Sequence, residues 1–312
     1  MFKKNIDFRN ILNQMSASTK HIAQQNSRII KEINDMKLSW GRLMSNEVRK
    51  LGILDDIHKA EFKIFSQWGD DGIIQYLINQ VNIPAKNFIE FGVENYTEAN
   101  TRFLLLNDNW SGLVMDCSKE NINYIKNDDI YWKHDLIAMY SFVTVENINK
   151  TISEAGFTGD IGLLHIDVDG NDYWIWKAID IVSPIIVIIE YNSLFGKERA
   201  ITIPYDPTFN RFEAHHSGIY AGASLLALCD LAKEKGYSFV GSNSAGNNAY
   251  FIRNDSLSEI KSITTEQGYV PIKFREHRNQ EGHLTFLPGL EAIKQIRGMK
   301  VFNTSTNEIE AL

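Results

Sequence analysis

Asn87-Phe-Ile-Glu-Phe-Gly-Val-Glu-Asn95, followed by Trp110-Ser-Gly-Leu-Val-Met-Asp116, is the stretch that predicts the fold. Both segments contain an apolar run of strand length with an acidic residue at or near its end, and the residues between them have a helical pattern. Two parallel strands joined by a helix are the basic unit of an α/β fold. In such folds ligands bind beyond the carboxyl ends of the strands.

The loop after the first strand predicts which cofactor this edge would bind. It has one glycine, Gly92, where a dinucleotide fingerprint has three, and the acidic and amide residues after it suit a pyrophosphate poorly. Asp116 is suited to a ribose diol, and Asp135 to an adenine amino group. Glu90 could accept hydrogen bonds from an ammonium group. A cofactor with a ribose, a positive centre and no phosphate fits these residues, and S-adenosylmethionine is such a cofactor.

Strand-like and helix-like runs continue to alternate along the chain, which indicates a mostly parallel sheet with helices on both faces. The predicted helices lie near 97–107, 118–126, 144–155, 171–180 and 222–235, and the predicted strands are 87–92, 111–116, 130–135, 161–167, 184–192, 237–243 and 248–254. The last two strands read as a hairpin. The acidic ends of the earlier strands are therefore expected to converge on one crevice.

Composition and charge limit the class of protein. The 312 residues carry a net charge of −7, and residues 1–60 contribute 11 Lys/Arg against 6 Asp/Glu. The rest of the chain is therefore strongly acidic, which argues against a nucleic acid as partner. No apolar run reaches the roughly 20 residues of a membrane span, and no signal-peptide pattern is evident. With two cysteines and no disulfide framework, we expect a cytoplasmic protein.

Residues 1–60 lack proline and predict a helical arm ahead of a catalytic domain at 61–312. Apolar residues recur every seven positions, with a second set between them that contains Thr19 and Asn26. Such a heptad pattern is typical of a helix that joins copies of a chain, and a buried Asn can fix their register. A helix packed on its own domain is the alternative. The repeat comprises Phe8, Leu12, Met15, Ile22, Ile29, Ile33, Met36, Trp40 and Leu43.

A long polar segment, 193–221, is predicted to form a lid over the crevice, because connections of this length are usually functional or disordered. It contains the adjacent pair His215 and His216. A hydroxyl nucleophile benefits from a base of near-neutral pKa, typically by about 10²- to 10⁴-fold. One of these histidines, or Asp169, is the predicted base. The alternative is that both are ordinary surface histidines without a catalytic role.

The strand end at 161–167 is followed by a group of carboxylates, Asp167, Asp169 and Asp172. Carboxylates this close repel one another unless a cation, protons or solvent intervene. Together with Glu190 or Asn192 of the next strand, these carboxylates could hold Mg²⁺ or Mn²⁺, which prefer oxygen ligands. These residues could instead contact the cofactor or substrate without metal, and Asp169 or Asp172 could simply cap the next helix.

Over roughly residues 62–254 the sequence resembles the FkbM-like branch of the S-adenosylmethionine-dependent methyltransferases. The resemblance implies a Rossmann-like class I methyltransferase fold, in which a seven-stranded, mostly parallel sheet has a reversed final hairpin. It also implies methyl transfer to a hydroxyl, commonly on a sugar or polyketide. The matching segments are Phe65-Ser-Gln-Trp-Gly-Asp-Asp-Gly72, Phe88-Ile-Glu-Phe-Gly92, Asn100-Thr101, Trp110-Ser-Gly-Leu-Val-Met-Asp116, His165-Ile-Asp-Val-Asp-Gly170 and Ile188-Ile-Glu-Tyr-Asn192.

The resemblance also implies roles for individual residues. Glu90 and Gly92 would line the methionine end of the cofactor, Asp116 would hold the ribose, and Asp167, Glu190 and Asn192 would be metal ligands, as in related metal-assisted O-methyltransferases. The loop after Gly92 departs from the family pattern because it lacks a second glycine. Cofactor contacts are expected from Gln67, Asp71, Glu90, Gly92, Asn100, Thr101, Asp116, Asp135 and Asp167.

The sequence therefore predicts an O-methyltransferase acting on a sugar hydroxyl, including one on a nucleotide-activated sugar of surface polysaccharide biosynthesis. A homo-oligomer formed through the N-terminal helices is expected. A metal-dependent glycosyltransferase that uses the triplet Asp167-Val-Asp169 is the alternative enzyme. A non-enzymatic scaffold on a degenerate domain is a third reading, and it predicts oligomers without cofactor binding.

Overall fold

A seven-stranded sheet forms the centre of the protein, with strand order β3-β2-β1-β4-β5-β8-β7. The structure, a computed structural model, describes residues 8–312 except the side chain of Arg9. Strands β1 to β5 are parallel, whereas β8 is antiparallel to both β5 and β7. The seven strands are Asn87–Phe91 (β1), Ser111–Asp116 (β2), Leu136–Tyr140 (β3), Gly159–Ile166 (β4), Val182–Glu190 (β5), Tyr237–Ser242 (β7) and Asn248–Arg253 (β8).

This strand order, with its reversed final hairpin, is that of the class I methyltransferase fold, as the family resemblance implies. Helices cover both faces of the sheet, and alternate residues of each strand enter two separate cores. In β1, for example, Phe88 belongs to one core and Ile89 to the other. The helices are Phe8–Val48 (α1), Asp70–Gln80 (α2), Arg102–Asp108 (α3), Lys119–Asn127 (α4), Asp129–Lys133 (α5), Ile148–Glu154 (α6), Asp172–Ala178 (α7), Arg211–Ala214 (α8), Leu225–Lys235 (α9), Thr265–Gly268 (α10) and Gly289–Ala292 (α11).

The predicted strand at 130–135 is wrong. Residues 129–133 form the short helix α5, and β3 begins only at Leu136. The side chain of Asp128 accepts a hydrogen bond from the backbone N–H of Ile130 at 2.8 Å, which caps the helix. Asp135 therefore precedes β3 instead of ending it. It lies at the amino edge of the sheet, opposite the edge where the other predicted acidic residues meet.

A second, three-stranded sheet supports the predicted lid segment. Its order is β10-β9-β6, with β6 at Ile201–Thr202, β9 at Lys300–Asn303 and β10 at Glu308–Ala311. A small apolar core packs the lid against this sheet and against the short helices that precede β9 in the chain. That core consists of Phe195, Ile201, Ile203, Ile219, Tyr220, Ala292, Ile296 and Val301.

The helix α1 is 41 residues long and docks on the domain only near its carboxyl end. There Gly41, Ser45 and Val48 are buried, and the Ser45 hydroxyl donates to Gln75 Oε1 at 2.6 Å. Gly41 is required because a Cβ would lie 2.5 Å from the Phe103 ring. The first seven residues of the predicted arm lie outside the described part. Within residues 8–312, no helix is both long and apolar enough to cross a bilayer.

Candidate functional site

The carboxyl ends of β1, β2, β4 and β5 lie side by side at one edge of the sheet. Glu90 of β1 pairs in register with Val114 of β2 and His165 of β4, and Glu190 of β5 pairs with Asn248 of β8. The residues that follow these strands, or end them, therefore share this edge. Gly92, Asp116, Asp167 and Glu190 are brought to it as predicted.

Glu90 is almost fully buried at this edge, and its carboxylate holds neighbouring segments. Its oxygens accept from the backbone N–H groups of Asn100 at 2.9 Å and Thr101 at 3.0 Å, and also from the Thr101 hydroxyl. The Nδ1 atom of His165 lies 2.9 Å away. Burial opposes ionisation, but the contacts with His165 and Thr101 outweigh it and lower the pKa of Glu90. Glu90, Asn100 and Thr101 thus meet as one buried unit.

Gly92 is required by the approach of another strand. Its φ is 70°, and a Cβ at this position would lie 1.8 Å from the carbonyl oxygen of Asp167. Two non-glycine residues that follow, Glu94 and Tyr96, also have positive φ, of 48° and 62°. Left-handed conformations are uncommon for such residues, and they cluster at functional sites. The loop 92–96 is therefore a constrained turn at the carboxyl edge.

Asp116 fixes this loop against the end of β2. Its Oδ2 atom accepts from the Glu94 N–H at 2.8 Å, while Oδ1 accepts from Ser118 N at 2.7 Å and Asn121 Nδ2 at 3.0 Å. A carboxylate offers about four lone-pair positions. One acceptor position therefore remains for a ligand hydroxyl at the strand end.

Asp71 organises the turn that precedes α2. Its Oδ2 atom accepts from the backbone N–H groups of Ile64, Phe65 and Ser66 at 2.7–2.8 Å and from the Ser66 hydroxyl at 2.7 Å. Burial raises the pKa of Asp71 to about 6, although these hydrogen bonds act to lower the pKa. Its Oδ1 atom is buried without a partner among the described residues. Gln67, on the same turn, is exposed.

Three carboxylates gather after β4 and β5. One oxygen from each of Asp167, Asp169 and Glu190 lies within 4.8 Å of the others. Burial, followed by the charge of Asp169, raises the pKa of Asp167 to about 8. Burial and Asp167 likewise raise the pKa of Glu190 well above its usual range. Protons or a cation must therefore balance this cluster, and its all-oxygen donor set is of the kind that Mg²⁺ and Mn²⁺ prefer.

The guanidinium of Arg211 already balances part of this charge. Its Nη1 atom lies 2.9 Å from Asp169 and its Nη2 atom 3.4 Å from Glu276. Arg211 is the first residue of the short helix α8. The side chain of Asn210 caps this helix by accepting hydrogen bonds from the backbone N–H groups of Phe212 and Glu213. Asp169 has a φ of 55°, a left-handed conformation. The lid thus places a cation of its own beside the strand ends, a contact that sequence reasoning missed because the two residues are 42 positions apart.

Asn192, the predicted third metal ligand, is engaged with the lid. Its amide donates to the carbonyl oxygens of Ile219 and Ala221, each at 2.9 Å, and its Oδ1 atom accepts from Leu194 N at 3.0 Å. The residue therefore holds two parts of the lid segment together. Asp169, which the sequence predicts as a base, is the residue that completes the acidic cluster with Asp167 and Glu190.

The predicted histidine pair lies on the lid with a third histidine. The rings of His215 and His216 have centroids 4.2 Å apart, and His277 lies 6.4 Å from His216. Ser217 Oγ is 2.6 Å from His215 Nδ1. Burial and then the neighbouring His216 and His277 lower the pKa of His215. The lowered pKa favours the neutral form of His215, which is the form a base requires. No local spacing in the sequence could have revealed the neighbourhood of His277.

A small, solvent-open cleft lies between the strand ends and the lid. Glu190, Arg211 and Glu276 supply its charged groups. Phe274 belongs to its apolar wall and stacks on Trp68, with ring centroids 5.7 Å apart. His215 and His216 are not among its lining residues. The lining comprises Glu190, Tyr191, Asn192, Leu194, Arg211, Gly218, Ile219, Ala221, Gly222, Asn247, Ile272, Phe274 and Glu276.

No protein-family model matches this chain, and no curated protein matches it. Among solved structures it is similar to an S-adenosylmethionine-dependent methyltransferase from Clostridium acetobutylicum ATCC 824, at 10% identity and a TM-score of 0.39, over 59% of this chain and 90% of that one. An O-methyltransferase from Bacillus cereus in complex with SAH is similar at 13% identity and a TM-score of 0.37, over 70% and 89%.

The N-terminal domain of EvdMO1 with SAH bound is similar at 11% identity and a TM-score of 0.35, over 54% of this chain and 73% of that one. Likenesses at these values do not decide a function. The strand order and the reversed hairpin identify the fold of this chain, which is that of the class I methyltransferases.

Proposed function

We propose that this protein is an S-adenosylmethionine-dependent O-methyltransferase that methylates a sugar hydroxyl, and that it is related to the FkbM-like enzymes its sequence resembles. The observation that carries the proposal is the carboxyl edge of the class I sheet. There the constrained loop 92–96 meets Asp116, whose carboxylate keeps one acceptor position. This position suits a ribose hydroxyl, and the loop offers no glycine-rich cradle for phosphate.

The buried unit around Glu90 has an indirect role in the proposed function, because it positions other residues of the site. Its carboxylate positions Asn100, Thr101 and His165, so its acceptor atoms are used by groups of the protein itself. Gln67 remains exposed on the neighbouring turn, where Asp71 holds the backbone. In the proposed complex these residues shape the wall of the cofactor site. Asp135 takes no part because it lies at the other edge of the sheet.

The acceptor sugar would enter the cleft under the lid. Asp169 belongs to the acidic cluster and pairs with Arg211, which lines this cleft, and it is one of the proposed bases. His215 and His216 are not among the lining residues and would reach the hydroxyl only after a movement of the lid. Alignment of acceptor and methyl group supplies much of the rate enhancement in such transfers, about 7–11 kcal/mol in well-oriented cases.

A divalent ion fits the residues present. Asp167, Asp169 and Glu190 offer three oxygens to Mg²⁺ or Mn²⁺, and a bound ion would acidify and orient the acceptor hydroxyl. Arg211 would then give up part of its contact with Asp169. The same cluster is the observation that favours the alternative function, a glycosyltransferase in which Asp167-Val-Asp169 binds a sugar nucleotide through a metal.

Ligand binding separates these two functions. We expect S-adenosylhomocysteine to raise the melting temperature, and uridine or guanosine diphosphate with Mn²⁺ to raise it no further than Mn²⁺ alone does. Asp116→Asn should weaken S-adenosylhomocysteine binding at least tenfold in calorimetry, while the exposed Asp180→Asn serves as control. Stabilisation by a nucleoside diphosphate with Mn²⁺, without any response to S-adenosylhomocysteine, would favour the glycosyltransferase. No response to either ligand would favour the scaffold.

The base is tested separately from the cofactor. A panel of sugars and nucleotide sugars is incubated with S-adenosylmethionine, and methylated products are detected by mass spectrometry. Asp169→Asn, His215→Ala and His216→Ala are compared with the exposed His283→Ala. The variant that lacks the base should have a kcat about 10²- to 10⁴-fold lower than the unsubstituted protein, with unchanged affinity for S-adenosylhomocysteine. Full activity in all three variants would exclude these residues as the base.

A further inference from the structure

The amino-terminal part of α1 projects from the domain with a continuous apolar face uncovered. Every described side chain from Phe8 to Ile33 is exposed. At a rise of about 1.5 Å per residue, these 26 positions span about 39 Å. Helices of this kind draw most of their stability from packing an apolar face, not from intrinsic propensity. Among the residues that the structure describes, the projecting segment therefore lacks the packing contacts that would hold it helical.

The exposed apolar residues form a coiled-coil seam with alternating spacings of four and three residues. In heptad notation, Phe8, Met15, Ile22, Ile29, Met36 and Leu43 occupy the d positions. The a positions are Leu12, Thr19, Asn26, Ile33 and Trp40. Nine of these eleven side chains are large and apolar, and each of the nine is 42–72% exposed. Ile11 and Ile30 widen the same stripe, at 41% and 58% exposed.

The seam continues where α1 docks on its own domain. In that part, Leu38, Gly41 and Ser45 face the domain, whereas Trp40 and Leu43 remain 61% and 60% exposed. Leu38 occupies an f position, on the opposite side of the helix from a and d. The domain therefore covers one side of α1 and leaves the seam free along its whole length.

We propose that a second copy of this chain covers the seam, in a parallel two-stranded coiled coil. Asn26 occupies an a position near the middle of the seam. In a parallel pair it would meet Asn26 of the other copy, and a polar pair of this kind fixes register and favours two strands. Glu32 at g would face Lys37 at e of the other copy, which is a complementary charge pair in the parallel register.

The size of the seam suits a stable pair. Each copy would contribute nine large apolar side chains, among them Phe8 and Trp40, and a buried aromatic alone removes about 150–250 Å² from water. Stable interfaces bury about 1,200–2,000 Å² in total. Both catalytic domains would lie at the same end of the coiled coil, each docked on the outer side of its own helix. The proposal does not depend on the proposed methyl transfer.

The mass of the full chain in solution is the first test. Size-exclusion chromatography with light scattering should give twice the 35.7 kDa of one chain. Ile22→Asp with Ile29→Asp should give the monomer, while Ala17→Asp with Gln24→Asp, at f positions of the same helix, should remain dimeric. The thermal unfolding of the domain should be the same in all three proteins. A monomeric unsubstituted chain, or a trimer or tetramer, would overturn the proposal.

Orientation is tested by crosslinking in a chain whose two free cysteines, Cys117 and Cys229, are replaced by Ser. Leu12→Cys lies near one end of the seam, so oxidation should link two copies only if the helices are parallel. A disulfide between Leu12→Cys and Trp40→Cys chains, in place of the symmetric link, would show an antiparallel pair and contradict the proposal. A monomer that instead sediments with anionic phosphatidylserine vesicles would show a membrane surface as the occupant.

Discussion

Glu90 illustrates what a single residue in a sequence can and cannot reveal. The apolar run around it predicts its place on β1, which the structure confirms. The pattern does not reveal that Asn100, Thr101 and His165 already use the carboxylate. Those partners lie 10 to 75 positions away, and only the folded chain brings them together. The sequence therefore predicts which residues reach the edge of the sheet better than which of them are free to bind a ligand.

Replacement of Glu90 by Gln tests whether this unit is structural. The amide keeps the shape of the side chain but places an NH₂ group against donors that need an acceptor. We expect a loss of about 1–3 kcal/mol in the free energy of unfolding, measured by urea denaturation. Glu94→Gln, an exposed residue in the adjacent loop, should change stability by less than about 0.5 kcal/mol. Equal stability of the two variants would contradict the structural role.

Asp167 predicts a pH dependence of stability. Its pKa is raised to about 8 in the folded protein, from a usual value of 3.8. The folded state therefore holds a proton that the unfolded state has released, and stability falls as pH rises from about 4 to 8. Asp167→Asn should flatten this fall in chelator-treated protein, followed by urea denaturation at several pH values. Asp180→Asn, an exposed control, should keep it.

Addition of Mn²⁺ extends this experiment. An ion bound by the ionised cluster should restore stability near pH 8 in the unsubstituted protein, since anything that binds the folded state stabilises it. The Asp167→Asn variant should gain much less. Parallel pH profiles for the unsubstituted and Asp167→Asn proteins would show that Asp167 titrates normally.

At the scale of elements, the alternation of strands and helices was predictable because buried parallel strands read as apolar runs. The failure at 130–135 has a local cause. Ile130, Tyr131 and Trp132 are apolar, but the cap from Asp128 makes them a helix. The true edge strand β3 is only partly buried, with Ile137 and Tyr140 exposed, so its signal is weak. Asp135, which follows this run, was therefore assigned to the carboxyl edge of the sheet, although it lies at the amino edge.

The turn after β1 gives a matched pair of glycines. Gly92 and Gly159 have φ of 70° and 69°, but only at Gly92 would a Cβ meet another strand, 1.8 Å from Asp167 O. Gly159→Ala should cost about 1–2 kcal/mol, from backbone strain alone. Gly92→Ala should cost clearly more and should weaken S-adenosylhomocysteine binding, because the end of β4 must move. Urea denaturation and calorimetry provide both readouts, and equal costs would contradict the close approach.

At the scale of the whole molecule, the lid is held by residues 80 to 102 positions away along the chain. Ile201 of β6 pairs with Asn303 of β9, and the Tyr220 hydroxyl donates to the carbonyl oxygen of Lys300. No sequence pattern predicted this second sheet, because β6 has only two residues and its partner lies in a tail without clear periodicity. A crevice under the lid was predicted, but its lining residues and the position of Arg211 were missed for the same reason, since both depend on where the lid is anchored.

Ile296→Ala tests this anchorage. Ile296 is fully buried in the small core beneath the lid, and such truncations cost about 2–5 kcal/mol locally. We expect faster tryptic cleavage after Arg211, with little change in the main sheet as judged by amide hydrogen exchange of β1 and β4. Ile309→Ala, in the same small sheet but 51% exposed, should leave the cleavage rate unchanged. Unchanged cleavage in both variants would mean that the lid is anchored elsewhere.

The pairing of β6 with β9 also bears on the order of assembly during refolding. Closing a chain segment of about 100 residues costs entropy that is recovered only when the remote strands meet. The parallel strands β1 and β2, by contrast, are neighbours along the chain. We expect the large sheet to form before the small one, so that refolding molecules pass through a stage with a complete core and an uncovered cleft. Formation of the lid over the cleft should then lag behind recovery of secondary structure.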